Sequence, residues 1–298
     1  MLEAALIPDG DKGRLAAARR RRAAVARSGD TARGGFTWRE PGNQLPVAFS
    51  LGAAPFVQAC LNGGTSPGEH PAVPITPAEL ATEALAAARA GARAIHVHPR
   101  ASDGSQSLAP SLVLPAVAAV RAATGLPVGV TTGIWAVSGD ADLRLSLVAG
   151  WTGADRPDFA SINVNEPGTG ALADLLLSLG IAVEAGVWTV ADADLLARST
   201  LAPRAFQVLF EPTSRVPGEA VAEAAAASAA VLAAGITAPQ VHHGYDQATW
   251  DVIRWALGKG FAVRVGLEDT TVLPDGSTAT GNGDLVAAAV RLAANPAS

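Results

Sequence analysis

Residues 76–98 read TPAELATEALAAARAGARAIHVH, a stretch that predicts one helix followed by one buried strand. Thr76 is a good helix N-cap, and Pro77 suits the first helical position because the N–H that it lacks would have no helical partner there. Gly91 interrupts the alanine-rich pattern where a helix would end. The apolar run that follows, 93–98, has the length of a strand buried in a parallel sheet. A helix that leads directly into such a strand is typical of an α/β fold.

The same alternation extends in both directions from this stretch. Predicted strands cover residues 56–61, 93–98, 127–130, 159–164, 181–184, 205–210, 240–242 and 261–265. Predicted helices cover residues 77–90, 110–124, 139–150, 168–179, 191–199, 217–234, 246–258 and 283–294. Eight strand–helix pairs are the number that closes a (β/α)8 TIM barrel, which typically needs about 250 residues. We therefore predict a single barrel domain over residues 51–298, although periodicity alone also allows a doubly wound open sheet.

The N-terminal segment, residues 1–50, differs from the rest of the chain. It carries a basic run at 19–22 and shows little hydrophobic periodicity, so we expect a flexible extension. No apolar segment follows its charges, which argues against a secretory signal. Four arginines alone are weak support for an arm that binds nucleic acid or a membrane.

Composition narrows the class of protein. The chain has 298 residues, of which 49% are hydrophobic and 16% charged, which is enough apolar material for one large core. A net charge of -5 gives no overall attraction to nucleic acid or to anionic membranes, and no apolar stretch is long enough to span a bilayer. Cys60, the single cysteine, excludes an intramolecular disulfide and a cysteine-based zinc cluster. We expect a cytoplasmic protein with small-molecule partners.

Polar residues gather where the predicted strands end. In a (β/α)8 barrel the active site lies at the carboxyl ends of the strands, so these residues are candidates for the site. They are Asn62, His96, His98, Thr131, Asn163, Glu184, Glu211, His242, His243, Glu268 and Asp269. The opposite face of each strand packs against helices and has no need of such groups.

Two of the predicted strands carry pairs of residues with a shared orientation. His96 and His98 lie two positions apart on one strand and therefore point to the same side. Two imidazoles and a carboxylate are a common ligand set for Zn²⁺, but the spacing equally allows hydrogen-bonded core histidines. On the last strand Arg264 and Glu268 are an even number of residues apart, so their side chains point to the same side. This arrangement is compatible with a functional pair or with a buried ion pair.

Several of these motifs together resemble the β-keto acid cleavage enzymes, the family of 3-keto-5-aminohexanoate cleavage enzyme. The resemblance runs from about residue 56 to the end of the chain. It is carried by PITP at 74–77, IHVHPR at 95–100, DG at 103–104, VTTG at 130–133 and RVGLED at 264–269. The motifs at 95–100 and 264–269 are specific to the family when they occur together, whereas the alanine-rich helices are not.

The resemblance implies a reaction and a set of functional residues. Members of the family are Zn²⁺-dependent TIM barrels that convert a β-keto acid and acetyl-CoA into acetoacetate and a new acyl-CoA. They form homo-oligomers, so we expect one here, with a tetramer as the expected size. The family's pattern makes His96, His98 and Glu268 the metal ligands. Arg264 and Asp269 then occupy the catalytic pair, and Thr131 replaces a serine that assists catalysis.

The substrate site is less defined by the resemblance. Asn163 and Glu184 lie at strand ends that face the family's substrate, and Asn62 follows the first strand. The relative that acts on an amino-bearing keto acid has a glutamate where this chain has Thr65. A neutral Thr65 weakens the case for a cationic substrate and leaves the acyl group open.

Two other classes of function are compatible with some of these features. A metal-dependent hydrolase barrel also uses a His-x-His motif, but on its first strand and with further histidines on middle strands. The fifth and sixth predicted strands of this chain carry no histidine. A non-catalytic barrel that binds a metabolite and keeps a structural metal is the other alternative. Arg264 and Asp269 argue against it. His242 and His243 are compatible with substrate contact or with a core role.

Overall fold

A computed structural model describes residues 56–294 of the chain, and the predicted extension over residues 1–50 lies outside them. The strands are β1 (Val57–Cys60), β2 (Ala94–Val97), β3 (Val128–Thr131), β4 (Phe159–Asn163), β5 (Ala182–Val187), β6 (Gln207–Phe210), β7 (Gln240–His242) and β8 (Ala262–Val265). The helices are α1 (Pro77–Ala90), α2 (Pro110–Thr124), α3 (Ala141–Val148), α4 (Thr169–Ser178), α5 (Val190–Arg198), α6 (Pro217–Ala233), α7 (Thr249–Gly258) and α8 (Asn282–Ala294). Short 3₁₀ helices cover Ile134–Val137 and Asp246–Ala248.

Each strand pairs in parallel with the next strand along the chain, and β8 pairs in parallel with β1. At the closing seam Val57 lies opposite Val263, and Gln58 lies opposite Arg264. This pairing makes a closed eight-stranded barrel. The prediction of a (β/α)8 TIM barrel is confirmed, and the open-sheet alternative is wrong.

Helix α1 has the predicted caps at both ends. Thr76 accepts a hydrogen bond from the backbone N–H of Glu79, whose side chain accepts in return from the N–H of Thr76, so the two residues form a capping box. Gly91 ends α1 in the left-handed conformation, with φ of 112°, which favours glycine. Both ends of the helix therefore satisfy backbone groups locally, and β2 begins three residues later.

The two faces of the strands bury different side chains. Ile95 and Val97 point outward and join the large apolar core between strands and helices. Side chains on the opposite face of the strands point into the barrel, where they form a smaller apolar cluster. The cluster consists of Phe56, Ala94, Phe159, Ala182, Leu209, Val241 and Ala262. Gly129 leaves room for one of these rings, because a Cβ at that position would lie 2.1 Å from the ring of Phe159. The lower part of the barrel is thus packed, and the polar residues lie nearer the carboxyl ends of the strands.

Two predicted boundaries differ from the structure by more than two residues. Strand β5 continues to Val187, whereas the sequence predicted an end at Glu184. The segment predicted as one helix, 246–258, is a 3₁₀ turn followed by α7, and Asp246 has a positive φ of 49° that interrupts the helix. Within residues 56–294, none of the helices combines the length and the apolar character that crossing a membrane requires.

Candidate functional site

A cavity of about 610 Å³ opens at the carboxyl ends of the strands. Its wall includes residues from β2, β3, β4 and β8 and from the loops that follow most of the strands. The lining residues are Gly64, Thr65, Glu69, His96, His98, Gln106, Thr131, Trp135, Ser161, Asn163, Trp188, Glu211, Arg215, Tyr245, Asp246, Arg264, Leu267, Glu268, Asp269, Thr270 and Thr271. This end of a TIM barrel is where catalytic residues lie, so the cavity is the candidate active site.

The three predicted metal ligands lie together on the wall of this cavity. One ligand atom from each of His96, His98 and Glu268 can be chosen so that all three lie within 4.8 Å of one another. Both imidazoles are almost completely buried, and their ring centroids are 5.1 Å apart. Two nitrogens and one carboxylate oxygen at this separation match the three protein ligands of a catalytic zinc site.

The side chain of Gln106 determines which nitrogen of His98 is free. Trp135 Nε1, which can only donate, lies 2.8 Å from Gln106 Oε1, and Gln106 Nε2 donates to the carbonyl of Gly63 at 2.8 Å. The amide oxygen therefore faces His98 Nδ1 at 2.9 Å, and Nδ1 must be the donor. In the neutral imidazole this leaves a lone pair on Nε2, the atom that faces Glu268.

The contacts within the group of three fit a bound cation. His98 Nε2 lies 3.4 Å from Glu268 Oε1, so two electron-pair acceptors face each other. His96 Nδ1 and Glu268 Oε2 are buried, and among the described residues neither has a hydrogen-bond partner. A divalent cation held by the three side chains would take up the free electron pairs of the Glu268 carboxylate.

Arg264 lies beside this group and is buried inside the barrel. It donates a hydrogen bond to Glu268 Oε1, not to Asp269. Burial alone would raise the pKa of Glu268, but the charge of Arg264 and the nearby imidazoles outweigh it and hold that pKa well below its usual range. Glu268 is therefore both the partner in a buried ion pair and a candidate ligand.

Asp269 is held by two other side chains. Cys60 Sγ donates to its Oδ2 at 2.7 Å, and His243 Nδ1 lies 2.9 Å from its Oδ1. Burial opposes a charge on His243, but Asp269 outweighs that effect and raises the pKa of His243 to about 9. Burial and the carboxylate of Asp269 raise the pKa of the Cys60 thiol well above its usual value. Near neutral pH, Asp269 thus faces an imidazolium and a thiol.

Glu211 and Tyr245 extend this chain of contacts to the cavity wall. His243 Nε2 lies 3.3 Å from Glu211 Oε2, and Tyr245 Oη donates to the same oxygen at 3.2 Å. Burial would raise the pKa of Glu211, but the hydrogen bond and the charge of His243 lower it. His242, by contrast, points outward, stacks on Phe210 with ring centroids 4.4 Å apart, and belongs to the core.

Three further predicted residues line the cavity. Thr131 Oγ1 accepts from the backbone N–H of Gly133 at 3.1 Å. Thr65 Oγ1 donates to the carbonyl of Leu267 at 2.7 Å, and Asn163 Nδ2 donates to Glu166 Oε1 at 2.9 Å. The structure therefore brings Thr131, Thr65 and Asn163 to the same cavity as the metal group.

Two predicted substrate contacts do not lie on the cavity wall. The amide of Asn62 is buried, and it bonds to the backbone of His98 at 2.9 Å and to the carbonyl of Pro74 at 3.0 Å. Glu184 lies in the middle of β5, where Gln58 and Gln207 donate to its Oε1. Burial raises the pKa of Glu184. The residue that β5 contributes to the cavity wall is Trp188, just beyond the end of the strand.

Other lining residues were not singled out as functional by the sequence. Gln106 comes from a loop and Trp135 from the short 3₁₀ helix after β3, where no periodic pattern indicates which residues meet. Trp135 lies over His98, with ring centroids 6.4 Å apart and an angle of 17° between the planes. At the cavity rim Arg215 pairs with Asp246. Glu211 differs from these residues, because its position directly after a predicted strand already indicated that it would lie at the site.

Solved structures share this fold. The complex of ObcA with oxaloacetate aligns with a TM-score of 0.60 and 18% sequence identity, over 74% of this chain and 66% of that one. The ternary complex of ObcA with a C4-CoA adduct and oxalate aligns with a TM-score of 0.60 and 19% identity, over 73% of this chain and 62% of that one. At these identities the similarity shows the fold, and this chain spans less than two thirds of the length of the ObcA chains.

Family membership comes from the sequence itself. The sequence profile of the beta-keto acid cleavage enzymes matches residues 55–296, which is most of the chain and includes every residue of the candidate site. The match agrees with the resemblance carried by the motifs at 95–100 and 264–269. The chain belongs to the beta-keto acid cleavage enzyme family.

Proposed function

We propose that this protein is a Zn²⁺-dependent β-keto acid cleavage enzyme that uses acetyl-CoA as co-substrate. One observation carries the proposal: a ligand group of two histidines and a glutamate lies beside Asp269 in a single cavity of a chain that belongs to this family. In the proposed reaction a β-keto acid and acetyl-CoA give acetoacetate and a new acyl-CoA.

The atoms of the reaction balance without a further reactant. Removal of a proton from the carbon between the keto and carboxylate groups gives a carbanion, which attacks the carbonyl carbon of acetyl-CoA and releases the CoA thiolate. The thiolate then adds to the original keto carbon. The bond between that carbon and the former carbanion carbon breaks, and a proton returns to give acetoacetate. The acyl group leaves as its CoA thioester.

The metal site would bind the cation through His96, His98 and Glu268. When bound, a divalent cation supplies positive charge that stabilises negative charge developing on the keto oxygen. Two of the three ligands have an observed support: Gln106 orients His98, and Arg264 holds Glu268. Such contacts around a ligand reduce its freedom and tune the affinity for metal.

The remaining residues have roles that follow from their chemistry. Asp269 is an anionic group on the cavity wall, and we assign it the removal of the proton from the keto acid. Arg264, buried and positively charged, stabilises anionic groups nearby, although its direct contact is with Glu268. The hydroxyl of Thr131 accepts from Gly133 N–H and keeps its own proton to donate to an oxyanion.

The rest of the cavity wall would contact the acyl group of the substrate. We propose that Thr65 and Asn163 contact the substrate there. Asn62 and Glu184 act indirectly in this proposal. Asn62 braces the backbone at His98, and Glu184 belongs to a buried polar group below the cavity. We also propose that the protein is a homo-oligomer, with a tetramer as the size to be tested by light scattering.

The ObcA structures are compatible with this chemistry. The ligands in those structures are oxaloacetate, which has a keto group β to a carboxylate, and a C4-CoA adduct with oxalate. A related barrel thus binds a small keto acid and a CoA adduct.

The decisive experiment is a panel of β-keto acids with neutral, anionic and cationic side chains. Each acid is incubated with acetyl-CoA and the Zn²⁺-loaded protein, and acetoacetate and the new acyl-CoA are measured by NMR and mass spectrometry. The proposal expects equal amounts of both products from at least one acid. Hydrolysis of acetyl-CoA without acetoacetate would support the hydrolase alternative, and no turnover of any acid would contradict the assigned reaction.

The metal assignment has a separate test. Purified protein should bind close to one equivalent of Zn²⁺, and His98→Ala should lose it. His70→Ala is the matched control, since His70 is also buried, bonds to the carbonyl of Ala279 at 3.0 Å and is not among the residues that line the cavity. Metal content is measured by mass spectrometry of the elements. An unchanged content in His98→Ala would remove this residue from the ligand set.

A further inference from the structure

His243 occupies an unusual position between two carboxylates. Its side chain is completely buried, with Nδ1 2.9 Å from Asp269 Oδ1 and Nε2 3.3 Å from Glu211 Oε2. It is not among the residues that line the cavity, whereas both of its partners are. His243 therefore touches the site only through other side chains.

The carboxylate of Asp269 depends on few contacts for its orientation. Its backbone is tied down, because its N–H donates to Gly266 and its carbonyl accepts from the N–H of Asp246. The side chain can still rotate about its own bonds. The residues that oppose this rotation are Cys60 on Oδ2 and His243 on Oδ1, since Arg264 donates to Glu268 instead.

Of these two contacts, that of Cys60 is a hydrogen bond and that of His243 is an ion pair, and we expect the ion pair to be the stronger. A thiol is a weak hydrogen-bond donor, whereas an imidazolium beside a carboxylate adds a full charge to the interaction. His243 is itself held in place. Its backbone N–H donates to the carbonyl of Phe210 at 3.3 Å, and Glu211 faces its far nitrogen. Tyr245 donates to Glu211 and packs its ring edgewise on His243, with centroids 4.9 Å apart.

We propose that His243 is the positioning residue of Asp269: its Nδ1 fixes the carboxylate, and Glu211 fixes the imidazole through Nε2. Each carboxylate oxygen has a second lone pair, so Asp269 can still face the cavity while both contacts persist. The catalytic consequence rests on the proposed function, because it assumes that Asp269 takes a proton from the keto acid.

Two amide substitutions separate the two nitrogens of His243. The amide nitrogen of His243→Asn falls near the place of Nδ1 and can still donate to Asp269. The longer side chain of His243→Gln brings its nitrogen near the place of Nε2, toward Glu211. Both variants lose the charge and the ring, so a role in packing alone predicts similar behaviour for the two. His242→Gln is the control for loss of a neighbouring buried imidazole, one whose Nε2 faces the amide oxygen of Gln240 at 3.1 Å instead of a carboxylate.

The first measurement is independent of activity. Crystal structures of the full-length, Zn²⁺-loaded variants should show the Asp269 carboxylate in place in His243→Asn and rotated in His243→Gln. An unmoved carboxylate in His243→Gln overturns the proposal. If neither variant folds, NMR of the wild-type protein decides: the Nδ1–H proton of His243 should shift in Asp269→Asn but not in Asp251→Asn. An unchanged chemical shift of this proton in Asp269→Asn would also contradict the proposal.

The second measurement is catalytic. With metal content unchanged, kcat should fall about 100-fold in His243→Gln with little change in KM, as expected for a displaced catalytic group, and less than tenfold in His243→Asn. Exchange of the C2 protons of the keto acid for deuterium, without acetyl-CoA, should fall in parallel. Equal loss in both variants contradicts the proposal. If the wild-type protein turns over no keto acid, the proposed function fails, while the crystal structures still decide the role of His243.

Discussion

Gly63 lies directly against the side chain of Glu268. A Cβ atom at position 63 would fall 2.0 Å from Glu268 Cγ and 2.5 Å from Cδ. The φ of Gly63 is +46°, a conformation that residues with a side chain rarely adopt. The absence of a side chain at position 63 is therefore what lets the carboxylate of Glu268 reach the two histidines.

Gly63→Ala should weaken metal binding. The added methyl displaces Glu268, and overpacking of this kind typically costs about 1–3 kcal/mol, so we expect the affinity for Zn²⁺ to fall about tenfold or more. Competition with a chelator measures the affinity. Gly64→Ala is the matched control, because a Cβ there would meet nothing within 4 Å. Equal affinities in the two variants would show that Glu268 does not need this space.

Asp269→Asn should separate metal binding from turnover. The amide keeps the shape of the side chain but cannot take a proton, so we expect kcat to fall about 100-fold or more with the Zn²⁺ content unchanged. Steady-state kinetics and metal analysis of the same preparation provide the measurements. Asp251→Asn, on the exposed face of α7, serves as a control. Turnover at the wild-type rate would take Asp269 out of the mechanism.

Gln106 should control metal affinity without being a ligand. Gln106→Leu removes the acceptor for His98 Nδ1, and loss of such a partner commonly weakens metal binding about 10- to 100-fold. Gln106→Glu restores an acceptor for both His98 and Trp135, so it should keep most of the affinity. Titration calorimetry with Zn²⁺ compares the two variants. If the leucine variant binds as tightly as the wild type, the orientation of His98 has another source.

His242 should make stability depend on acidity. Burial lowers its pKa from 6.5 to about 3, because its ring lies in the core beside Phe210 and Trp255. Between these values the unfolded chain takes up a proton that the folded protein does not. The free energy of unfolding therefore falls as the pH falls from about 6.5 toward 3, and this group contributes a loss of about 2 kcal/mol by pH 5.

Urea unfolding at pH 7 and pH 5 measures this effect in the wild type and in His242→Gln. The variant is less stable at pH 7 because it loses the stacked ring, but it should lose less stability than the wild type on acidification. An identical decrease in both proteins would mean that His242 does not titrate in this range.

Most of the fold could be predicted from the sequence because its evidence is local. Caps such as Thr76 and Gly91 mark where helices begin and end, and apolar runs mark the buried strands. Closure of the barrel could not be read in this way. It depends on β8 meeting β1, two segments about 200 residues apart, and periodicity contains no information about such a pair.

The part of the candidate site that could be predicted is the part set by which side chains of a strand point to the same side. His96, His98 and Glu268 came together as the motifs indicated. Glu184 did not reach the cavity wall, since β5 runs to Val187 and leaves this residue in mid-strand. Loop residues such as Gln106 follow no period, so their contacts appear only once the backbone is folded.

The location of the metal group across the seam has a consequence for assembly. His96 and His98 belong to the second strand, Glu268 follows the last, and the strand between them is the first. A nascent chain in which β8 and Glu268 have not yet been synthesised thus has two of the three ligands and no closed sheet on which to complete the group. An ion that binds only the finished arrangement favours it by mass action. Under the proposed function, bound Zn²⁺ would link β2 to the segment that follows β8. Removal of the ion by a chelator would therefore open the barrel first at the pairing of β8 with β1.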